Sequence, residues 1–319
     1  MRCFGALVRG LGRALATPRI LLWLWLVNLA IALPAAVWLG ESIRSSVRHR
    51  LAAETLRQGF DAGWHGEYRA EAGGVERSFE PTLLGVGAFL KNLEAWLGLE
   101  IFQVSPALVA LGVLYAAVWL LLLGGVLEHL VRPSPALTLD RFLADGARRF
   151  PPFARLAVLS VPLYWGIHRG SRELFPWIEA LTRDVTVERT VLAAYLAGAT
   201  GVALAAVLVK SVFDYAKVAM VVEQRRSALV ALLRGGGFVL RHPFRVFGLV
   251  LWWALLSALA LAGYAVLAPG AGVDDSAALA GAVLLGQCFL LVRFILKVGW
   301  IGGEAALYQD NQRRLPPPL

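Results

Sequence analysis

Residues 20–39 read ILLWLWLVNLAIALPAAVWL, a stretch of 20 residues with no charged side chain. At a rise of 1.5 Å per residue, an α-helix of about this length crosses the roughly 30 Å hydrocarbon core of a bilayer. The stretch therefore predicts a transmembrane helix. Five further apolar stretches follow it, at 104–127, 153–168, 190–209, 246–268 and 277–300. We predict an all-α fold: a polytopic integral membrane protein with six transmembrane helices and interfacial amphipathic helices.

The stretch 153–168 is the weakest of the six. It is short, it contains Arg155 and Pro162, and it begins directly after Pro152. We keep it because an odd number of spans would break the alternation of charge between successive loops. The first stretch has a competing interpretation as the core of a signal peptide, but such cores run to only about 7–15 apolar residues.

The composition excludes two broad classes of protein. Hydrophobic residues make up 58% of the 319 residues, charged residues 17%, and the mean hydropathy is +0.64, whereas soluble domains are about 45–50% apolar and about 25% charged. A soluble protein and a disordered chain are therefore both excluded. The net charge of +9 does not indicate nucleic-acid binding, because the basic residues are scattered along the borders of apolar stretches.

The charged residues concentrate in alternate loops. With six spans, the segments on one side of the membrane carry a net charge of +13 and those on the other side −4. Short loops rich in Lys and Arg stay cytoplasmic, so both termini are predicted to be cytoplasmic. Residues 41–101 then form an extracytoplasmic helical loop subdomain within a single membrane domain, 1–319. In that loop, 41–56 and 79–100 are predicted to be helical, with a polar stretch between them.

A threefold pattern accompanies the spans. Before the first, third and fifth spans lies a basic amphipathic segment that ends in proline, with glycine six residues earlier; the prolines are Pro18, Pro152 and Pro243, and the glycines are Gly12, Gly146 and Gly237. Each following pair of spans closes with an acid, namely Glu128, Asp214 and Glu304. The pattern predicts three tandem units, each an interfacial helix plus a two-helix hairpin. Chance resemblance among basic inner loops is the alternative, and it stays open.

Six polar residues inside or beside the apolar stretches are the candidate site: Asn28, Lys210, Asp214, Gln287, Arg293 and Lys297. Charges within a bilayer are costly and usually face a bundle interior or a cavity. One interpretation is a cation-lined cavity that attracts an anionic solute or lipid headgroup. The interpretation that we favour is that Arg293 and Lys297 extend to the interface while Lys210 pairs with Asp214.

No catalytic motif, nucleotide-binding loop or cysteine pair motif is present in the sequence. The five histidines stand apart from one another, so we predict no metal site, no cofactor and no enzymatic activity. The expected role is a binding or assembly component that engages lipid or partner proteins, with anionic lipids at the cytoplasmic interface. A protein partner and a homo-oligomer both stay open. The alternative is a transporter or channel for a small anionic solute.

Three parts of the chain carry a resemblance to a known family. They are residues 63–97 (GWHGEYRAEAGGVERSFEPTLLGVGAFLKNLEAWL), the stretches GGVLEHL and LDRFLADGARRFPPFARLAVL within 124–159, and residues 213–243 (FDYAKVAMVVEQRRSALVALLRGGGFVLRHP). Together they resemble an uncharacterised family of bacterial polytopic inner-membrane proteins. The resemblance implies a six-span topology and location in the bacterial inner membrane. The family has no established activity, so it implies no site residues.

Overall fold

The computed structural model describes residues 2–47, 61–72, 106–134, 137–268 and 276–312. Within these ranges the regular structure is entirely helical, and the all-α prediction is confirmed. The helices are α1 (Arg2–Leu15), α2 (Pro18–Val47), α3 (Ala62–Glu71), α4 (Pro106–Val131), α5 (Leu139–Thr182), α6 (Glu188–Val222), α7 (Ala228–Arg241), α8 (Pro243–Leu267) and α9 (Ser276–Gln312).

Five helices in the described part of the chain are long and apolar enough to cross a membrane. They are Pro18–Val47, Val109–Val131, Glu188–Val222, Pro243–Leu267 and Ala280–Gln312. The prediction of a multi-span membrane protein is thereby confirmed. The stretch 153–168 lies inside α5 and does not belong to these five. Its apolar run is limited by Pro152 at one end and His168 at the other, and it contains Arg155. Its mean hydropathy is therefore lower than that of the five candidate spans.

Two of the three predicted breaks at proline are confirmed. Helix α1 ends at Leu15 and α2 begins at Pro18, while α7 ends at Arg241 and α8 begins at Pro243. Proline suits these positions because its fixed φ fits the first turn of a helix and its missing N–H has no partner there in any case.

The predicted break at Pro152 is wrong, because α5 runs without interruption from Leu139 to Thr182. The buried positions of α5 continue across the proline at the three- and four-residue spacing of one helix face; they are Phe142, Gly146, Arg149, Phe153 and Leu156. Continuous packing on this face offsets the backbone hydrogen bonds that the prolines remove.

The chain divides into two compact units. Unit 1 comprises the described parts of 1–10, 119–251 and 300–319, and unit 2 comprises those of 11–118 and 252–299. Unit 1 therefore contains the whole of α5, α6 and α7, together with the first parts of α1 and α8 and the last parts of α4 and α9.

In unit 1, two helices approach the end of a span so closely that only glycine fits. A Cβ built on Gly146 of α5 would overlap the carbonyl oxygen of Leu121 in α4. A Cβ built on Gly235 of α7 would lie 2.5 Å from the amide nitrogen of Ala216 in α6. Both approaches are far closer than van der Waals contact, so these helix backbones touch.

A third contact of this kind joins α1 to α9. A Cβ built on Gly302 would lie 3.0 Å from the Cα of Gly10. Of the three glycines in the sequence pattern, only Gly146 lies at such a contact. A Cβ on Gly12 or Gly237 would meet nothing within 4 Å.

Unit 2 contains a small core within the loop 41–101. Trp64 and Tyr68 of α3 pack with Ala72 against Ile43 and Val47 of α2. The hydroxyl groups of Tyr68 and Ser42 lie 3.1 Å apart. Part of the predicted helix 41–56 is confirmed, since α2 reaches Val47; its remainder and the predicted helix 79–100 lie outside the described residues.

Helix α3 lies within the polar stretch between the two predicted helices, to which no secondary structure is assigned from the sequence. The carboxylate of Asp61 accepts hydrogen bonds from the amides of Gly63 and Trp64, at 2.9 and 3.1 Å, and so caps the helix. Aspartate is among the preferred N-cap residues. Asp61 was therefore the available sequence signal for this helix.

Candidate functional site

A buried ion network joins α4 to α5 in unit 1. Arg149 donates to Oε2 of Glu128 from Nε at 3.0 Å and from Nη2 at 2.8 Å. The two side chains are only 5% and 8% exposed. The other carboxylate oxygen of Glu128 accepts from Arg132 at 3.3 Å and from Gln224 at 3.4 Å. Such charge-assisted hydrogen bonds offset the cost of burying both charges.

A second cluster lies on α6. The Nζ atoms of Lys210 and Lys217 lie 2.6 and 2.7 Å from the two carboxylate oxygens of Asp214. The ammonium group of Lys210 also lies 4.9 Å from the centre of the Trp300 ring on α9. Two cations therefore share one carboxylate at this end of α6.

Glu223, directly after α6, binds the end of α9. Its Oε1 accepts from the hydroxyl of Tyr308 at 2.6 Å and from the amide of Gln312 at 3.1 Å. Its Oε2 accepts from Arg225 at 2.8 Å. The turn that presents this carboxylate includes Gln224, whose φ of 53° is left-handed.

Glu304 of α9 differs from these acids. It is 2% exposed, and its Oε1 has no hydrogen-bond partner among the described residues. The hydroxyl of Tyr215 on α6 is likewise buried and unpartnered within the described ranges. Glu304 interacts electrostatically with Tyr215, with Asp214 and with Lys210 and Lys217. Two unsatisfied polar groups thus lie in the same buried region.

Three segments are amphipathic, namely α1, α7 and the first part of α5 (139–152). Each has a buried stripe, an exposed apolar stripe and a basic stripe. On α7 the buried stripe is Ala228, Ala231, Gly235 and Phe238, the exposed apolar stripe is Leu229, Leu233 and Leu240, and the exposed basic stripe is Arg234 and Arg241. We call these segments the three amphipathic helices.

The other two helices follow the same arrangement. In α1 the buried stripe is Ala6, Leu7, Gly10 and Ala14, the exposed apolar stripe is Phe4, Val8 and Leu15, and the basic residues are Arg9 and Arg13. In α5 these stripes are Phe142, Gly146 and Arg149, then Leu139 and Leu143, then Arg141 and Arg148. A helix with one face on protein, one apolar and one basic suits a membrane interface.

Two charged side chains on these helices are held by hydrogen bonds. Arg9 donates to Asp310 at 2.6 and 3.2 Å, and these hydrogen bonds raise the pKa of Arg9 above its ordinary value. A hydrogen bond from Thr138 lowers the pKa of Asp140. Asp140 therefore stays ionised in the first turn of α5, where the helix dipole favours a negative charge.

The six polar residues predicted from the sequence have different environments. In unit 1, Lys210 and Asp214 form the close pair described above. In unit 2, Gln287 accepts a hydrogen bond of 2.9 Å from the indole of Trp25. Asn28 and Lys297 are half-buried and Arg293 is exposed.

Sequence reasoning missed the Glu128–Arg149 pair and the isolation of Glu304 as candidate features. The signal was an acid surrounded by apolar and small residues, in GGVLEHL and in WIGGEAAL. No group of three or more His, Cys, Asp or Glu side chains suited to a metal ion occurs in the part of the chain that the structure describes.

Comparison with protein-family models, with curated proteins and with solved structures gives no match to this chain. The bacterial family that the sequence resembles is therefore not identified by these comparisons. What the composition and helices support is a multi-span helical membrane protein.

Proposed function

We propose that this chain is a non-enzymatic binding or assembly component of the bacterial inner membrane, and that the three amphipathic helices bind anionic lipid. The observation that carries the proposal is the stripe arrangement common to all three helices. On α7, Leu233 is 77% exposed and Leu240 is 73% exposed. In water such leucines would be unfavourable, whereas at a bilayer surface they insert between the acyl chains.

The arginines beside these leucines supply the preference for anionic lipid. Arg234 and Arg241 are both exposed and lie on one stripe of α7, next to the apolar stripe. A basic residue near an anionic membrane surface contributes about 1 kcal/mol to binding, and salt weakens this contribution.

Replacing both arginines of α7 (R234Q/R241Q) is expected to reduce the preference for anionic lipid by about tenfold or more, since two such contributions are lost. The measurement is the ratio of phosphatidylglycerol to phosphatidylcholine that the purified protein retains from mixed nanodiscs, read by native mass spectrometry. High salt should reduce the wild-type preference in the same direction.

The matched control is R183Q/R189Q, which removes two exposed arginines beyond the far end of α5. This variant should retain the wild-type lipid ratio. Equal losses in the two double variants would show a general effect of net charge and would refute binding by the amphipathic helices. An unchanged ratio in R234Q/R241Q would refute it as well.

We further propose six spans in three tandem units, with both termini cytoplasmic. Three observations support the units. Gly146 of the second tandem repeat contacts the end of α4, and Gly235 of the third tandem repeat contacts the end of α6. Gly10 of the first tandem repeat contacts Gly302 near the end of α9. Each interfacial helix would then contact the second span of another unit in a cyclic order.

The acids predicted to close each pair of spans do not lie at one constant spacing from the glycines at these contacts. Gly124 and Gly302 make the same kind of contact, with Gly146 and Gly10 respectively. Glu128 follows its glycine by four residues and Glu304 follows by two. The glycine contacts, rather than the acids, support the proposed repeat.

The topology has its own test. In a chain whose Cys3 and Cys288 are replaced by serine, a cysteine placed at Glu67 should react with an impermeant maleimide in intact cells. A cysteine placed at Leu319 should react only after the membrane is permeabilised. Labelling of both positions from the same side would rule out an odd number of spans between them, and with it the six-span topology.

A further inference from the structure

The buried acids of unit 1 are satisfied very unequally. Glu128 accepts from two arginines and a glutamine, Asp214 lies against two lysines, and Glu223 accepts from Arg225, Tyr308 and Gln312. Glu304 is the most deeply buried of the four, and its Oε1 has no hydrogen-bond partner among the described residues.

We infer that Glu304 is a proton-binding site, and that its carboxyl group is protonated in the folded protein at neutral pH. This inference does not depend on the proposed lipid binding. A buried carboxylate oxygen that accepts no hydrogen bond has a large desolvation cost, and the ordinary result is that the group binds a proton and becomes neutral. The neutral acid can also donate one hydrogen bond, which a carboxylate cannot.

The groups that face Glu304 are consistent with this state. On α6 they are Lys210, Asp214, Tyr215 and Lys217. Both ammonium groups lie within 2.7 Å of Asp214, so their hydrogen bonds are directed to that carboxylate. Cys3 of α1 also interacts electrostatically with the Tyr215 hydroxyl. The hydroxyl of Tyr308, on α9 itself, donates a hydrogen bond to Glu223.

A metal ion fits the region less well than a proton. Hard cations take about six oxygen ligands, and even a small site needs several that converge. Among the described residues, no group of three or more His, Cys, Asp or Glu side chains could hold a metal ion.

Release of the proton would change the competition for the lysines. A charged Glu304 would attract Lys210 and Lys217 away from Asp214, and the proton would pass to solvent. Because Lys210 also lies over the ring of Trp300, such a shift would alter the contact between α6 and α9. Glu304 is therefore placed to couple proton binding to the packing of two span ends.

The test is infrared spectroscopy of the purified full-length protein at neutral pH, labelled with ¹³C-glutamate. We expect a C=O stretching band of a protonated carboxyl group, shifted by the glutamate label and absent from E304Q. Wild type and E304Q should have the same melting temperature, since the amide resembles the neutral acid in shape. The band should remain in D214N, because the inference assigns it to Glu304 and not to Asp214.

Two results would overturn the inference. The first is a wild-type spectrum in which no protonated-glutamate band appears at neutral pH; this measurement needs no variant, so it holds even if E304Q fails to fold. The second is a melting temperature that rises with NaCl but not with choline chloride in the wild type and loses this dependence in E304Q, which would identify a bound sodium ion instead.

Discussion

Replacing Glu128 with alanine is expected to lower the free energy of unfolding by about 3–5 kcal/mol. Arg149 is 5% exposed, and its remaining hydrogen bond, to the carbonyl of Met220, is 3.4 Å long. Without the carboxylate the guanidinium would be a buried charge with little compensation. The measurement is equilibrium unfolding in detergent by a graded denaturant, followed by tryptophan fluorescence.

Two controls separate the ion pair from a general loss of contacts. The double variant E128L/R149M removes both charges and keeps the apolar volume, so it should regain most of the lost stability. The variant E173Q breaks the pair between Arg169 and Glu173, whose side chains are 68% and 71% exposed. Its cost should be below about 1 kcal/mol, as for other exposed pairs. A double variant as unstable as E128A would contradict the buried-charge explanation.

Elements decided by local sequence could be predicted. The apolar stretch 20–39 lies within α2, and new helices begin at Pro18 and Pro243. The length of an apolar stretch decides whether it can form a span, and the missing N–H of proline acts within one helical turn, so both signals are local. The end of the second amphipathic segment could not be predicted in this way. In α5 the buried face from Phe142 to Leu156 holds the helix together across Pro152, and that packing is not a local property.

The polar groups follow the same division. Lys210 and Asp214 are four residues apart on one helix, so their contact is visible in the sequence. Glu128 and Arg149 are 21 residues apart and lie on different helices, and they meet only because α4 and α5 approach at Gly124 and Gly146. Which residues share a buried region depends on helix packing, and a single sequence does not specify that packing.

The choice among glycines shows the same limit, and it gives a sharp comparison within one helix. Helix α7 has three consecutive glycines, and the sequence pattern selected Gly237. In the structure Gly235 is the one at which a Cβ would clash, with Val212 and Ala216 of α6 at 2.7 and 2.5 Å from its ideal position. A Cβ on Gly237 would meet nothing within 4 Å.

Accordingly, Gly235→Ala is expected to destabilise the protein by about 1–3 kcal/mol or more, because the clash is with backbone atoms that cannot rotate away. Gly237→Ala should instead be neutral or stabilising by about 0.5–1 kcal/mol, since alanine is the better helix former and the space is open. The melting temperatures of the two variants in detergent should therefore move in opposite directions from wild type. If both variants were equally stable, α7 would not press against α6 at Gly235, and the cyclic order of contacts proposed for the three units would lose one of its three supports.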